Sequence, residues 1–557
     1  MSNDEKTLTR RTALRGLLTV SAAGVLGCNT SPPTSDASMG DDAPQGDDAW
    51  VTPDGGRDSG PGWDAGPAAT GTFQHGVASG DPWTTSVMLW TRISEMSAPT
   101  MVEWQVSLAS DFATIVASGM FETNAERDYT VKLEAAGLTA ATTYFYRFRV
   151  GSMTSPTGRT RTAPEGEVDR LRFAVCSCAS YAHGYFHAYR RIAERADLDA
   201  VIHLGDYIYE YASDEYGMVR TYDPATEILS LDDYRRRYRH YRLDRDLQEA
   251  HRQHPFITTW DDHESADNAY RDGAENHKMT EGVWMARILA ASRAYREWMP
   301  FRETIEAERL RLFRTLRYGN LVDLVLLDTR IWGRDEQAAG STDPTLTSET
   351  RTLLGADQEA WLYDQLRSST ARWKVLCQQV MVAQLPFILN TDQWDGYPAQ
   401  RRRLFDFIAD NPSGDRDDIV VLTGDIHSSW ANDLTADPLN ITNYDPATGR
   451  GSLAVEFVCP AVTSPGLGPS IDRILRPRLA AEAPHIKYVD LSKRGYIMLD
   501  LDTTRAQAAW FHVADVLSIA GSEEAVAMAF ETVSGTNHLV TSVAASPRGS
   551  APPLAPG

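Results

Sequence analysis

The stretch Val201–Glu210, VIHLGDYIYE, constrains the chain more than any other. A short apolar run stops at a glycine, and two metal-type ligands, Asp206 and Tyr209, follow three residues apart. Val201, Ile202 and Leu204 read as the end of a buried strand, and Gly205 lets the backbone turn so that Asp206 leaves the strand's carboxyl end. Open α/β sheets carry their chemistry at that place. A carboxylate there can bridge two cations, and Tyr209, one turn later, can reach one of them.

Three further segments repeat the arrangement: Cys178 in AVCSCAS, Asp262 and His263 in TTWDDHESADN, and Asp425 with His427 in LTGDIHSSW. Each ends a strand-like run, at Leu171–Val175, Phe256–Trp260 and Ile419–Thr423 respectively. More such runs occur at Leu321–Leu327, Trp373–Val380, Leu453–Val458, Tyr496–Leu501 and Ala508–Val513. Helical periodicity marks His187–Arg195, Gly282–Trp298 and Ala399–Ala409. The alternation predicts an α/β domain over 171–515, two packed mixed sheets flanked by helices. Asp232–His254 reads as an insertion helix with a solvated face, and 516–557 as an extension and tail. Residues 73–165 carry short alternating runs at sandwich spacing and predict an all-β domain. Within it, Gly137–Tyr144 resembles the tyrosine corner of fibronectin-type domains, with Tyr144 in the corner position.

Residues 1–28 read as a targeting segment. Thr9–Arg15, TRRTALR, resembles a twin-arginine export signal, and Val25–Cys28 resembles a lipobox, although Leu26 is larger than usual there; Cys28 would then carry a lipid. Residues 29–72 hold eight Asp against one Arg and little to bury, so an acidic disordered linker is expected. The protein is therefore expected to be exported, on a periplasmic or extracellular face, and held to a membrane by a lipid anchor alone. A net charge of −22 argues against specific nucleic-acid binding. It also means that a phosphate substrate must be drawn in by local positive charge, for which bound cations are the obvious source. With Cys28 spent on a lipid and Cys178 on a metal, the remaining cysteines, Cys176, Cys377 and Cys459, suggest no disulfide framework. They read as inert core residues.

Together the four clusters resemble the calcineurin-like metallophosphoesterase series D-x-H, G-D-x-x-D, G-N-H-E and G-H-x-H. Cys178 stands for the first His, Tyr209 for the last Asp of the second motif, Asp262 for the Asn and Asp425 for the first His of the fourth. With the preceding sandwich and stretches such as YRRRYRHYRLDRDLQEAH, WDDHESADN and WDGYPAQRRRL, the chain resembles the PhoD family of alkaline phosphatases and phosphodiesterases up to about residue 515. The resemblance implies hydrolysis of phosphate esters at a dinuclear centre. One site would take Cys178, Tyr209, His427 and Asp206. A phenol that ionises unaided at about pH 10 needs a strong Lewis acid as partner, which favours Fe(3+). The other would take Asp206, Asp262 and Asp425, with Asn268 a weaker candidate, and its all-oxygen character favours Ca(2+). The family is likewise described as using iron and calcium.

Asp206 would bridge the two ions, and water activated between them would attack phosphorus in line. His263 matches the superfamily histidine that contacts phosphate or protonates the leaving alkoxide. Expected substrates are small phosphate esters, with phospholipid or polymer phosphodiesters as a further class. The alternative is a catalytically silent, metal-containing surface protein, against which the intact set of ligands argues. A purple acid phosphatase is disfavoured by Cys178 and Asp425. Outside the set, His203 reads as a hydrogen-bonded core residue, and His183 and His187 as exposed polar positions. Arg330 and Arg334 read as surface or structural pairing, and Asp395 as pocket architecture.

Overall fold

The computed structural model describes residues 71–557 apart from 95, 308, 386–389, 412, 413, 415 and 416. The expected targeting segment with Cys28, and nearly all of the expected linker, lie outside the described residues. The described residues form one compact unit.

The fold is mixed α/β. Strands Arg170–Cys176, Ala200–His203 and Pro255–Thr258 run parallel at the middle of a ten-stranded sheet. Trp373–Cys377, Ile419–Thr423 and Ala454–Val458 run parallel inside a seven-stranded sheet. Side chains alternate along each strand, and in these strands both faces are covered. Val175, Ile202, Leu204 and Ile257 face Leu324, Val375, Leu422 and Phe457 of the other sheet in one core. Ala174, Val201 and Phe256 point the opposite way, into a second core closed by Tyr189, Ile192, Tyr238, Leu247, Tyr295 and Trp298 from the helices.

The segment 232–254 is two helices rather than one, Leu231–Tyr241 and Arg245–Gln253. Asp244 divides them because its side chain caps the second, accepting from the Leu247 N–H at 3.1 Å. The solvated face is correspondingly narrow, since Tyr234, Arg237, Tyr238 and Tyr241 are all buried.

The strands of 73–165 divide between two sheets. Ile115–Thr123, Thr100–Ser107, Thr143–Val150, Met153–Thr154 and Gly158–Arg161 make a five-stranded sheet of their own. Val77–Gly80, Ser86–Arg92 and Thr130–Ala136 instead continue the ten-stranded sheet, Val77–Gly80 pairing parallel with Pro255–Thr258. This addition covers what would be an open strand edge beside the Asp262 loop. Tyr144 accepts a hydrogen bond from the Thr139 N–H at 2.9 Å. At the other end of the same sheet, Glu524–Val533 and Leu539–Thr541 from the C-terminal extension add two further strands. Among the described residues no helix is long and apolar enough to cross a membrane.

Candidate metal centre

The loops that leave the parallel strands converge where the two sheets meet. The Cys178 N–H donates to Gly205 O at 3.1 Å and the Ala179 N–H to Asp206 O at 2.9 Å, which ties the first loop to the second. Gly205 has φ of 111°, and a Cβ there would come within 2.4 Å of the Asp261 nitrogen, so only glycine allows the second and third loops to touch. Cys178, Asp206, Asn268, Asp425 and His427 all adopt left-handed backbone, with φ between 54° and 62°. For residues with a Cβ this costs about 1 kcal/mol each, and such strain gathers at sites where side-chain placement matters more than stability.

On one side of Asp206 lies a mixed set of donors. Single ligand atoms of Cys178, Asp206 and His427 lie within 4.8 Å of one another, and all three residues are buried. The Tyr209 hydroxyl donates to Asp206 Oδ2 at 3.0 Å and lies 3.3 Å from His427 Nε2. Ser464 donates to that hydroxyl at 2.6 Å, and His427 Nδ1 is paired with Pro465 O at 3.1 Å, which directs Nε2 to the cluster. Burial first, then the Asp206 carboxylate, pushes both the Cys178 thiol and the Tyr209 phenol well above their ordinary pKa values.

On the other side the donors are carboxylates. Asp206, Asp262 and His263 form one close group, and Asp261, Asp262 and Asp425 form another. Asp425 thus joins Asp206 through Asp262, and Asp261, which the sequence reading passed over, completes the second group. The Asn268 N–H donates to Asp262 Oδ2 at 2.7 Å, and its Nδ2 to Glu275 at 2.5 Å.

Arg330 lies against this group with no exposed surface, 2.5 Å from Asp261, 2.7 Å from Asp425, 2.8 Å from Asp392 and 3.7 Å from Asp262. Arg334 reaches Asp392 at 2.6 Å. Both arginines are therefore structural pairs, and they brace the carboxylates themselves. His263 Nδ1 is 2.7 Å from Glu210, and its ring stacks on Tyr209 with centroids 4.1 Å apart. Burial alone would lower its pKa, but Asp262, Glu210 and Asp206 together lift it well above the ordinary value.

The residues fit two different cations. Among the described residues, five buried carboxylates, Asp206, Asp261, Asp262, Asp392 and Asp425, face two guanidinium groups and the His263 ring, an excess of negative charge that cations relieve. Asn268 Oδ1 is buried with no hydrogen-bond donor among the described residues, as expected of an oxygen kept for a hard ion. Thiol, phenol and imidazole together make the opposite, softer pocket.

Other residues find plainer roles. His203 is buried and bonded to the Tyr189 hydroxyl at 2.8 Å. His187 is not exposed as expected: its helix packs it inward, with Nε2 paired to Ser518 O at 2.8 Å. His183 is half-buried beneath Tyr216, and Asp395 pairs with Arg401 at 2.5 Å. Glu210 and Asp261 were legible only as neighbours of Tyr209 and Asp262. Arg330 and Asp392 lie outside the four clusters and gave no local signal.

Comparison with known proteins agrees with the geometry. The family described as PhoD-like phosphatase matches residues 173–510, and its N-terminal domain matches 61–164. Alkaline phosphatase D of Bacillus subtilis (strain 168) is 40% identical over 457 residues, covering 76% of this chain and 75% of its own. A solved structure titled "Structure of PhoD" superposes with a TM-score of 0.77 at 35% identity, over 87% of this chain and 95% of that one.

Proposed function

This chain belongs to the PhoD-like phosphatase family and is a phosphoric ester hydrolase, and from that premise we propose that it is an exported alkaline phosphatase and phosphodiesterase with an iron–calcium centre. The carrying observation is that Cys178, Tyr209 and His427 meet Asp206 on one side while Asp262 and the other carboxylates meet it on the other. Ferric iron would be held by Cys178, Tyr209, His427 and Asp206, and calcium by Asp206, Asp262 and Asp425 with Asn268. When bound, the ions supply positive charge against the phosphoryl oxygens and acidify the attacking water.

The chain's own residues do the rest. Before an ion is taken up, Asp206 is held by the Tyr209 hydroxyl at one oxygen and by the His263 backbone N–H, 3.4 Å from the other, so the carboxylate is already aimed when the Tyr209 proton leaves. Glu264 accepts from the Asp206, Tyr207 and Asp261 N–H groups, at 3.1, 2.7 and 2.8 Å, and locks the two loops together. Asp262 and then Glu210, which takes Nδ1 of His263, keep the ring cationic, so that Nε2 delivers a proton to the leaving alkoxide.

Export by the twin-arginine route and a lipid on Cys28 are supported by TRRTALR and VLGC, and the β-rich 73–165 region is read as fibronectin-like. The test is metal analysis of natively exported protein with hydrolysis of p-nitrophenyl phosphate and bis-p-nitrophenyl phosphate. Iron and calcium together, with calcium-dependent release of p-nitrophenol, are expected; zinc alone, or no hydrolysis, would overturn the proposal.

A further inference from the structure

Arg494 lies in the turn between strands Ile486–Asp490 and Gly495–Asp502, beside the segment that steadies Tyr209 and His427. Its Nε donates to Thr463 O at 3.3 Å, and Nη1 to Ser492 O and Lys493 O at 2.9 and 3.2 Å. Thr463 precedes Ser464, whose hydroxyl binds both Cys178 O and the Tyr209 hydroxyl. The same guanidinium packs on Gly466, where a Cβ would meet Nη1 at 3.2 Å and His427 O at 2.8 Å. Arg494 is thus built into the outer wall of the thiol–phenol pocket, one backbone step from three of its donors.

Two features separate it from a merely structural arginine. It makes no ion pair with a carboxylate among the described residues, whereas Arg330 and Arg334 on the carboxylate side are spent on Asp261, Asp425 and Asp392. Arg237 also binds carbonyls only, but it is wholly buried, and Tyr209, Tyr211, Pro224 and Thr226 take its two terminal nitrogens. Arg494 is half-buried, and its Nη2 makes no hydrogen bond to any described residue. Burial lowers its pKa to about 10, partly offset by Tyr216, Asp490, Cys178 and Tyr209 in that order, so it stays charged at working pH.

Resting on the phosphatase reading above, we infer that Arg494 contacts the substrate's phosphate: three carbonyls aim its guanidinium so that Nη2 can donate to non-bridging oxygens at the Cys178–Tyr209 side of the centre. A planar guanidinium suits that task, since it offers parallel N–H groups to phosphate oxygens. In a protein of net charge −22, a cation that makes no ion pair among the described residues has a clear use beside an anion site.

The test uses Arg494→Ala and Arg494→Lys in the full-length, metal-loaded protein. Steady-state kinetics on p-nitrophenyl phosphate are read beside calorimetric binding of inorganic phosphate. Loss of a charge-assisted contact should raise KM and the phosphate Kd about tenfold or more in Arg494→Ala, with kcat changed by less than about threefold. Arg494→Lys should recover part of the loss, since it keeps the charge without the fork. A phosphate Kd and KM within about twofold of wild type, metal content unchanged, would overturn the inference. Should the alanine variant not fold, an unchanged phosphate Kd in the lysine variant overturns it equally. Wild type that binds phosphate but hydrolyses no ester would instead sink the proposed function, leaving the phosphate contact to be judged by calorimetry alone.

Discussion

The two pockets that share Asp206 are prepared in opposite ways. On the Cys178 side the donors are kept neutral: thiol and phenol are both driven well above their ordinary pKa values by burial and by Asp206, and they are held by hydroxyls and backbone carbonyls. On the Asp261–Asp262–Asp425 side the donors are carboxylates braced by a guanidinium with no solvent exposure. One pocket must lose protons to take its ion; the other must share its charge with Arg330. A pocket whose thiol and phenol must each give up a tightly held proton suits an ion that binds strongly and stays, while a braced carboxylate pocket suits one that exchanges.

The largest expected effect comes from removing what the pockets have in common. Asp206→Asn should lower kcat/KM about a thousandfold or more and reduce the content of both metals, because each pocket loses its shared anion. Loss of one metal with the other retained would break the idea of a common carboxylate. Cys178→Ala should act on one side only. Iron content should fall with activity, by about a hundredfold, while calcium binding to the carboxylate side persists.

The pockets should also differ in pH response. Below the raised pKa values of Cys178 and Tyr209, ion uptake on that side displaces up to two protons, so its affinity should rise about tenfold to a hundredfold per pH unit. Calcium affinity should rise less steeply with pH, because carboxylates give up their protons more readily than a thiol or a phenol, even where burial raises one as it does Asp261. Competitive titrations between pH 6 and pH 9 would measure both slopes, and equal slopes would remove the distinction.

How much of this could be read from the chain depends on locality. A strand followed by a ligand-bearing loop is a local pattern, and Cys178, Asp206, Asp262 and Asp425 each stand at such an end, which is why the sequence points to them and to an α/β fold. Arg330 leaves the Val322–Leu326 strand with no ligand motif around it, and its partners Asp261, Asp392 and Asp425 lie 69, 62 and 95 residues away. The sequence near Arg330 allows a structural pair but names neither its burial nor its partners. The same reason hid the strand exchange of 73–165: alternating runs predict strands, but not that Val77–Gly80 would add to the edge at Pro255–Thr258. His187 shows the converse, since a polar residue after a loop suggests exposure while its helix turns it inward.

Arg330 offers a sharper test of the carboxylate side. Arg330→Met removes the brace and leaves Asp261 and Asp425 facing one another. The metal-free protein should lose about 3 kcal/mol or more, the range for removing one partner of a buried pair. Calcium should then restore a larger share of Tm than in wild type, because the ion must carry the charge the guanidinium no longer supplies. An equal calcium increment in both proteins would mean that Arg330 and the ion act on separate groups.

The smallest expected effect concerns the neutral oxygen of that side. Asn268 holds φ of 54°, so Asn268→Gly keeps the backbone comfortable while deleting the amide. Its Nδ2 is spent on Glu275, its N–H already aims Asp262, and Oδ1 has no donor among the described residues. If that oxygen belongs to the hard-ion shell, the calcium concentration for half-maximal activity should rise about tenfold. At saturating calcium, kcat should stay within about twofold of wild type, because the carboxylates remain. Iron content should not change, since the hydrogen bonds of Asn268 run to Asp262, Glu275 and Gln337. A calcium requirement that does not move would place Asn268 among the loop caps, and the carboxylate pocket would then consist of charged ligands alone.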